Sequence, residues 1–248
     1  MKLRVALFFA GLFGALAAVF ILLSFGTDYW LLASESCQLR PNGSAGPGGV
    51  TIKPGDVVLE GKGSSDVTLY HEGFFWRCSF KGDMEDDDLL KRLWFTNQPD
   101  SKVCMPAYLF PFPVSRQTHN ATEYESSITY RGFWSVFMLI AVAAVVIGGF
   151  IIICAAPFSG HRLYKAGGGF FLIAGFFLLC VVVMYVLWMQ VLDVIDLYID
   201  HQRALCSDFR LTFSYGLSFM FAPIGIFFCL LAGLLFLLIG RTIQIHSQ

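Results

Sequence analysis

Cys37, Cys78, Cys104 and Cys206 lie in polar stretches between apolar runs, and the chemistry they offer is pairwise oxidation in an oxidising compartment. Cys154, Cys180 and Cys229 lie inside apolar runs. Four loop thiols allow three pairings. Cys78 and Cys104 bracket segments that read as strand and helix, so pairing them would staple a small sheet; Cys37 and Cys206 would then tie two distant polar segments together. Closing such loops typically contributes ~2–4 kcal/mol, a large share for a module too small to bury a wide core.

Other reactive groupings are sparse. His71-Glu72 lacks the second histidine of a zinc-protease helix, no Cys-x-x-Cys occurs, and Gly167-Gly168-Gly169 lacks the spacing and basic residue of a phosphate loop. Those glycines instead suit a tight turn into a helix. The acidic run 83–88 lacks the ligand spacing and glycine of an EF-hand and reads as a solvated charge cluster. No apolar run carries Asp, Glu, Lys, Arg or His between its ends, which argues against a pump or transporter. The sequence therefore predicts a protein that is not an enzyme and has no metal, cofactor or small-molecule substrate.

Recognition is the better fit. His71-Glu72-Gly73-Phe74-Phe75-Trp76-Arg77-Cys78 places three adjacent aromatics and a cysteine in a polar segment. Side chains alternate along a strand, so inward Phe74 and Trp76 would leave Phe75 outward. Aromatic residues and arginine dominate interface energetics; Trp30, Phe74, Phe75, Trp76 and Arg77 are the expected partner contacts.

The elements that position these residues follow from hydropathy. An apolar content of 56% and a mean hydropathy of +0.65 indicate a polytopic membrane protein, and a net charge of −1 gives no reason to expect nucleic acid. Residues 5–25, 133–156, 170–192 and 215–239 are each long enough to cross a hydrocarbon core of ~30 Å. Small residues spaced by four, Ala10, Gly14 and Ala18 in the first and Gly225, Cys229 and Gly233 in the fourth, offer smooth faces for close packing. Lys2, Arg4, Arg162, Lys165 and Arg241 flank the ends assigned to the cytoplasm, so both termini are expected inside. Two long segments, 27–131 and 193–213, then face outward, joined on the other side by a connector at 157–168. The sequons at Asn42 and Asn120 support that orientation as glycosylation sites. Within 27–131, Val67 to Tyr70 and Phe74 to Phe80 read as strands and 83–94 as a short amphipathic helix. Asp196 and Asp200 opposite Ile195 and Ile199 predict that the third span continues outward for two turns.

The expected fold class is membrane α+β, a single domain over residues 1–248: a bundle of four transmembrane helices topped by a small extracellular antiparallel sheet. That architecture, together with Trp30 soon after the first span and the Gly73 to Cys78 element, resembles the claudin superfamily. This chain has Phe75 where the usual signature has its Trp, and its C-terminus, Ile245 to Gln248, lacks the hydrophobic ending offered to PDZ domains. Phe25 to Leu32, His71 to Cys78, Phe95 to Pro99, Tyr130 to Trp134, Cys154 to Phe158, Tyr164 to Gly169 and Ile243 to His246 are similar to a muscle-expressed branch of that superfamily. The resemblance implies a plasma-membrane protein that contacts lipid, binds an adhesion receptor, the beta-1 integrin chain, and restrains myoblast differentiation and fusion. The architecture alone leaves as alternatives a paracellular channel or barrier subunit and an auxiliary subunit of a ligand-gated channel.

Overall fold

The computed structural model describes residues 2–37, 66–81, 102–107, 121–158, 160–190 and 194–246. The sequons at Asn42 and Asn120 and the acidic segment 83–94 lie outside the described residues. In chain order the elements are α1 (Lys2–Gly26), β1 (Leu31–Cys37), β2 (Asp66–Glu72), β3 (Trp76–Lys81), β4 (Val103–Pro106), α2 (Ala121–Phe158), α3 (His161–Gln190), α4 (Val194–Leu205), β5 (Arg210–Tyr215) and α5 (Leu217–His246).

Among the described residues, four helices, α1, α2, α3 and α5, are long and apolar enough to cross a membrane. The predicted fourth span begins too early, because Tyr215 closes β5 and α5 starts at Leu217. The start of α1 and the end of α5 lie at the end of the bundle opposite the sheet, where Leu3 and His246 face a common cleft.

Glycine sets the closest helix contacts. Gly167 and Gly168 do not turn a connector, as the sequence suggested; they lie within α3, which begins at His161. Successive residues on a helix point about 100° apart, so the two glycines serve different neighbours. Gly167 approaches the carbonyl of Gly148 on α2, and Gly168 the carbonyl of Gly233 on α5. The Gly225, Cys229 and Gly233 face packs against Ile21, Gly175 and Gly168 in turn. Ala10 and Gly14 bury as expected, Gly14 against the rings of Phe171 and Phe236, while Gly11 meets nothing.

Among the described residues the sheet has five antiparallel strands in the order β4-β3-β2-β1-β5. One disulfide follows from its register, and the other ties the end of β1 to the segment after α4. Cys78 and Cys104 are direct cross-strand partners and are bonded, pinning edge strand β4 to β3. Cys37, the last residue of β1, is bonded to Cys206 just beyond α4. α4 carries the expected amphipathic pattern, with Ile195 buried and Asp200 exposed; residues 191–193, which join it to the third span, lie outside the described residues.

A methyl group at Gly168 would meet the carbonyl of Gly233 at 2.8 Å and the Leu237 amide at 3.1 Å, backbone atoms that cannot rotate away. Gly168→Ala should therefore cost about 1–3 kcal/mol, whereas Gly11→Ala should be nearly neutral; thermal unfolding of both variants in detergent, with equal losses, would contradict this packing.

Candidate functional site

The join between sheet and bundle is built around residues 28–30. The Trp30 amide donates to the Glu72 carbonyl at 2.8 Å, and its carbonyl accepts from Gly216 at 3.0 Å. One short linker thus binds β2 on one side and the start of α5 on the other. Its neighbours must lack side chains: a Cβ on Gly73 would collide with the Asp28 backbone, and one on Gly216 with the Tyr29 carbonyl. Ser218 completes the clamp, its hydroxyl accepting from the Tyr29 amide and its amide donating to the Tyr29 carbonyl. The Trp30 indole is fully enclosed, donating to the Ser24 carbonyl at 2.7 Å while its ring meets Phe74, Tyr185 and Phe219 edge-on.

Arg131, from α2, reaches this join from the opposite side. Its guanidinium forms a buried ion pair with Glu72 and donates to the carbonyls of Gly73 and Phe74, with Trp134 lying 5.5 Å from Cζ. Together with Trp30, Phe74, Trp134 and Tyr185 these groups enclose only about 10 Å³, room for no more than one water.

A second polar cluster holds α4 on the sheet. Glu35 of β1 accepts from the hydroxyls of Tyr70 on β2, at 2.9 Å, and Tyr198 on α4, at 2.6 Å. Arg77 lies over the Tyr70 ring at 4.9 Å. Burial first, and the Glu35 charge second, push both phenols above the usual tyrosine range. Burial likewise raises Asp28, against the opposing pull of the Trp76 amide and His71.

These positions correct the expected contact surface. Trp30, Phe74 and Arg77 are buried and are not available to a partner: Trp30 and Phe74 fill the join, and Arg77 packs on Tyr70. Phe75 and Trp76 are 43% and 48% exposed. Strict alternation failed because Gly73 to Phe75 form a turn between β2 and β3, closed by the Gly73 amide on the Trp76 carbonyl, and the period is reset there. Sequence reasoning missed Glu35, Glu72, Arg131, Tyr198 and Gly216. A lone arginine at the lip of an apolar run was the one available signal; its partner lies 59 residues away.

Removing one member of the buried ion pair leaves the other charge uncompensated, so Arg131→Met and Glu72→Gln should each cost about 3–5 kcal/mol, and the double variant less than the sum. Additive losses in a thermal-unfolding cycle would contradict the coupling. Tyr198→Phe should cost about 1.5–3 kcal/mol at neutral pH. Because the phenol is raised on folding, its contribution is present below the usual tyrosine range and fades as pH climbs through the folded value. Ultraviolet titration should show one fewer late-ionising tyrosine in the variant; an unchanged curve would contradict the assignment.

Comparison with known proteins agrees with this architecture. The model of the family described as PMP-22/EMP/MP20/Claudin tight junction matches residues 15–238. Transmembrane protein 182 of Danio rerio is 60% identical over 254 residues, covering 100% of this chain and 99% of that protein. The proteins of the same name from Homo sapiens and Gallus gallus are 49% and 48% identical; the human match covers 99% of this chain and 100% of that protein, the chicken match all of both. The chain belongs to the PMP-22/EMP/MP20/Claudin family, as a multi-pass membrane protein whose full-length relatives carry the name Transmembrane protein 182.

Proposed function

We propose that the protein is a non-enzymatic plasma-membrane interaction protein that presents its sheet at the cell exterior, with both termini in the cytoplasm, and modulates an adhesion receptor in the same membrane. The observation that carries this reading is a sheet held rigidly to the bundle, with no reactive cluster among the described residues. The Arg131 ion pair and the clamp at residues 28–30 fix the sheet to the bundle, while the two disulfides brace the sheet internally and tie β1 to the end of α4. The join has no room for a substrate. Among the described residues, no three His, Cys, Asp or Glu side chains converge as a metal site would require.

The partner implied by the resemblance is the beta-1 integrin chain, and the implied outcome is restraint of myoblast differentiation and fusion. A fixed platform suits that role. Binding the resting receptor more tightly than the active one would oppose activation by mass action. The paracellular-channel alternative has less support, because Glu35 and Glu72, carboxylates on the face of the sheet toward the bundle and α4, are engaged by Tyr70, Tyr198 and Arg131.

Tagged full-length protein from detergent-solubilised myoblast membranes should recover the beta-1 integrin chain above a four-span control, and cells deprived of the protein should fuse more extensively. Background recovery together with unchanged fusion, while the protein is present at the cell surface, would overturn the proposal.

A further inference from the structure

We infer that Phe75 and Trp76 seat in the headgroup layer of the bilayer, so that lipid is the immediate partner of the β2–β3 turn and fixes the height of the sheet above the membrane. The depth of the turn is set by contacts to two membrane helices. Phe25, in the last turn of α1, lies 5.1 Å from the Phe75 ring and 6.1 Å from that of Phe74. Arg131, near the start of the α2 span at Thr129, donates to the carbonyl of Gly73. The turn therefore rests at the level where both apolar spans end, over the junction of α1 and α2.

Its outer surface continues the lipid-facing surface of those helices. Leu22 on α1 and Phe133 on α2, two residues from Arg131, are exposed near the sheet-side ends of their apolar spans, and Phe75 and Trp76 extend that apolar surface onto the sheet. A half-exposed indole, with an apolar ring and one N–H donor, suits the boundary between acyl chains and water, where tryptophan is enriched on membrane proteins. Phe74 completes the division of labour. It turns inward to Trp30, and its two aromatic successors remain outside at the end of the spans.

The test is depth-dependent quenching in phosphatidylcholine vesicles containing the full-length protein with Trp94→Phe. The emission that disappears on further substituting Trp76→Phe belongs to Trp76. That component should be quenched by phosphatidylcholine carrying a nitroxide at the headgroup or a shallow acyl position, and should lose little intensity to aqueous iodide. Phe75→Trp in the Trp76→Phe background gives a second reporter if Trp76 emission is weak, with the same pattern expected. Strong iodide quenching with no response to labelled lipid would overturn the inference. Shielding from iodide that appears only when an adhesion receptor is reconstituted alongside would also overturn it, assigning the turn to a protein partner. The lipid measurement does not depend on whether the integrin reading holds, since it is made with this chain alone; the receptor arm separates a lipid seat from a protein contact.

Discussion

One guanidinium joins the two halves of this molecule. Arg131 belongs to a membrane helix, yet its partners, the Glu72 carboxylate and the carbonyls of Gly73 and Phe74, belong to the sheet. A buried arginine without acceptors is costly, and so is a buried carboxylate without donors. Each is tolerated only where the other is held, so the pair specifies how sheet and bundle meet. The apolar contacts of Trp30, Phe74, Trp134 and Tyr185 supply area around the join, while the ion pair supplies direction.

From that constraint the remaining features follow in order. With Glu72 fixed, β2 is fixed, and β1 must lie beside it in the register that places Leu31 opposite Glu72. The chain leaving α1 has only residues 27–30 in which to reach that position, so it passes against Gly73 and Gly216 at distances no side chain would allow. β5 then pairs with the other edge of β1 and passes directly into α5. Farther from the membrane the constraint changes in kind: Glu35, its two tyrosines and the Cys37 to Cys206 bond hold α4 against the sheet. Such a platform holds one shape, which is what the proposed role in recognition requires.

The four spans were readable because each is a long apolar run with charge at its ends, a signal that depends on neighbours in sequence. The cysteines were readable because so few lay outside the runs. Strands were less so. β1, Leu-Leu-Ala-Ser-Glu-Ser-Cys, has little intrinsic strand preference and is held by pairing on both sides. β5 did carry a signal, since Leu211, Phe213 and Tyr215 alternate, but its closeness to the fourth span merged Tyr215 into the apolar run. The contact residues were misplaced for a different reason. Alternation assumes an unbroken strand, and the turn at Gly73 sends Phe74 inward and leaves both Phe75 and Trp76 outside. Long-range polar partners such as Arg131 with Glu72, or Tyr198 with Glu35, leave no local pattern.

The claim that sheet and bundle form one body is tested most directly by hydrogen exchange of the full-length protein in lipid nanodiscs. Amides of Trp30, Gly73, Ala107, Gly216 and Ser218 each donate to a backbone carbonyl at or beside the join, and peptides covering them should exchange as slowly as those from the centres of α3 and α5. Exchange at those amides as fast as in an unprotected loop, with the helices still protected, would show that the sheet moves independently of its anchor and would contradict the account.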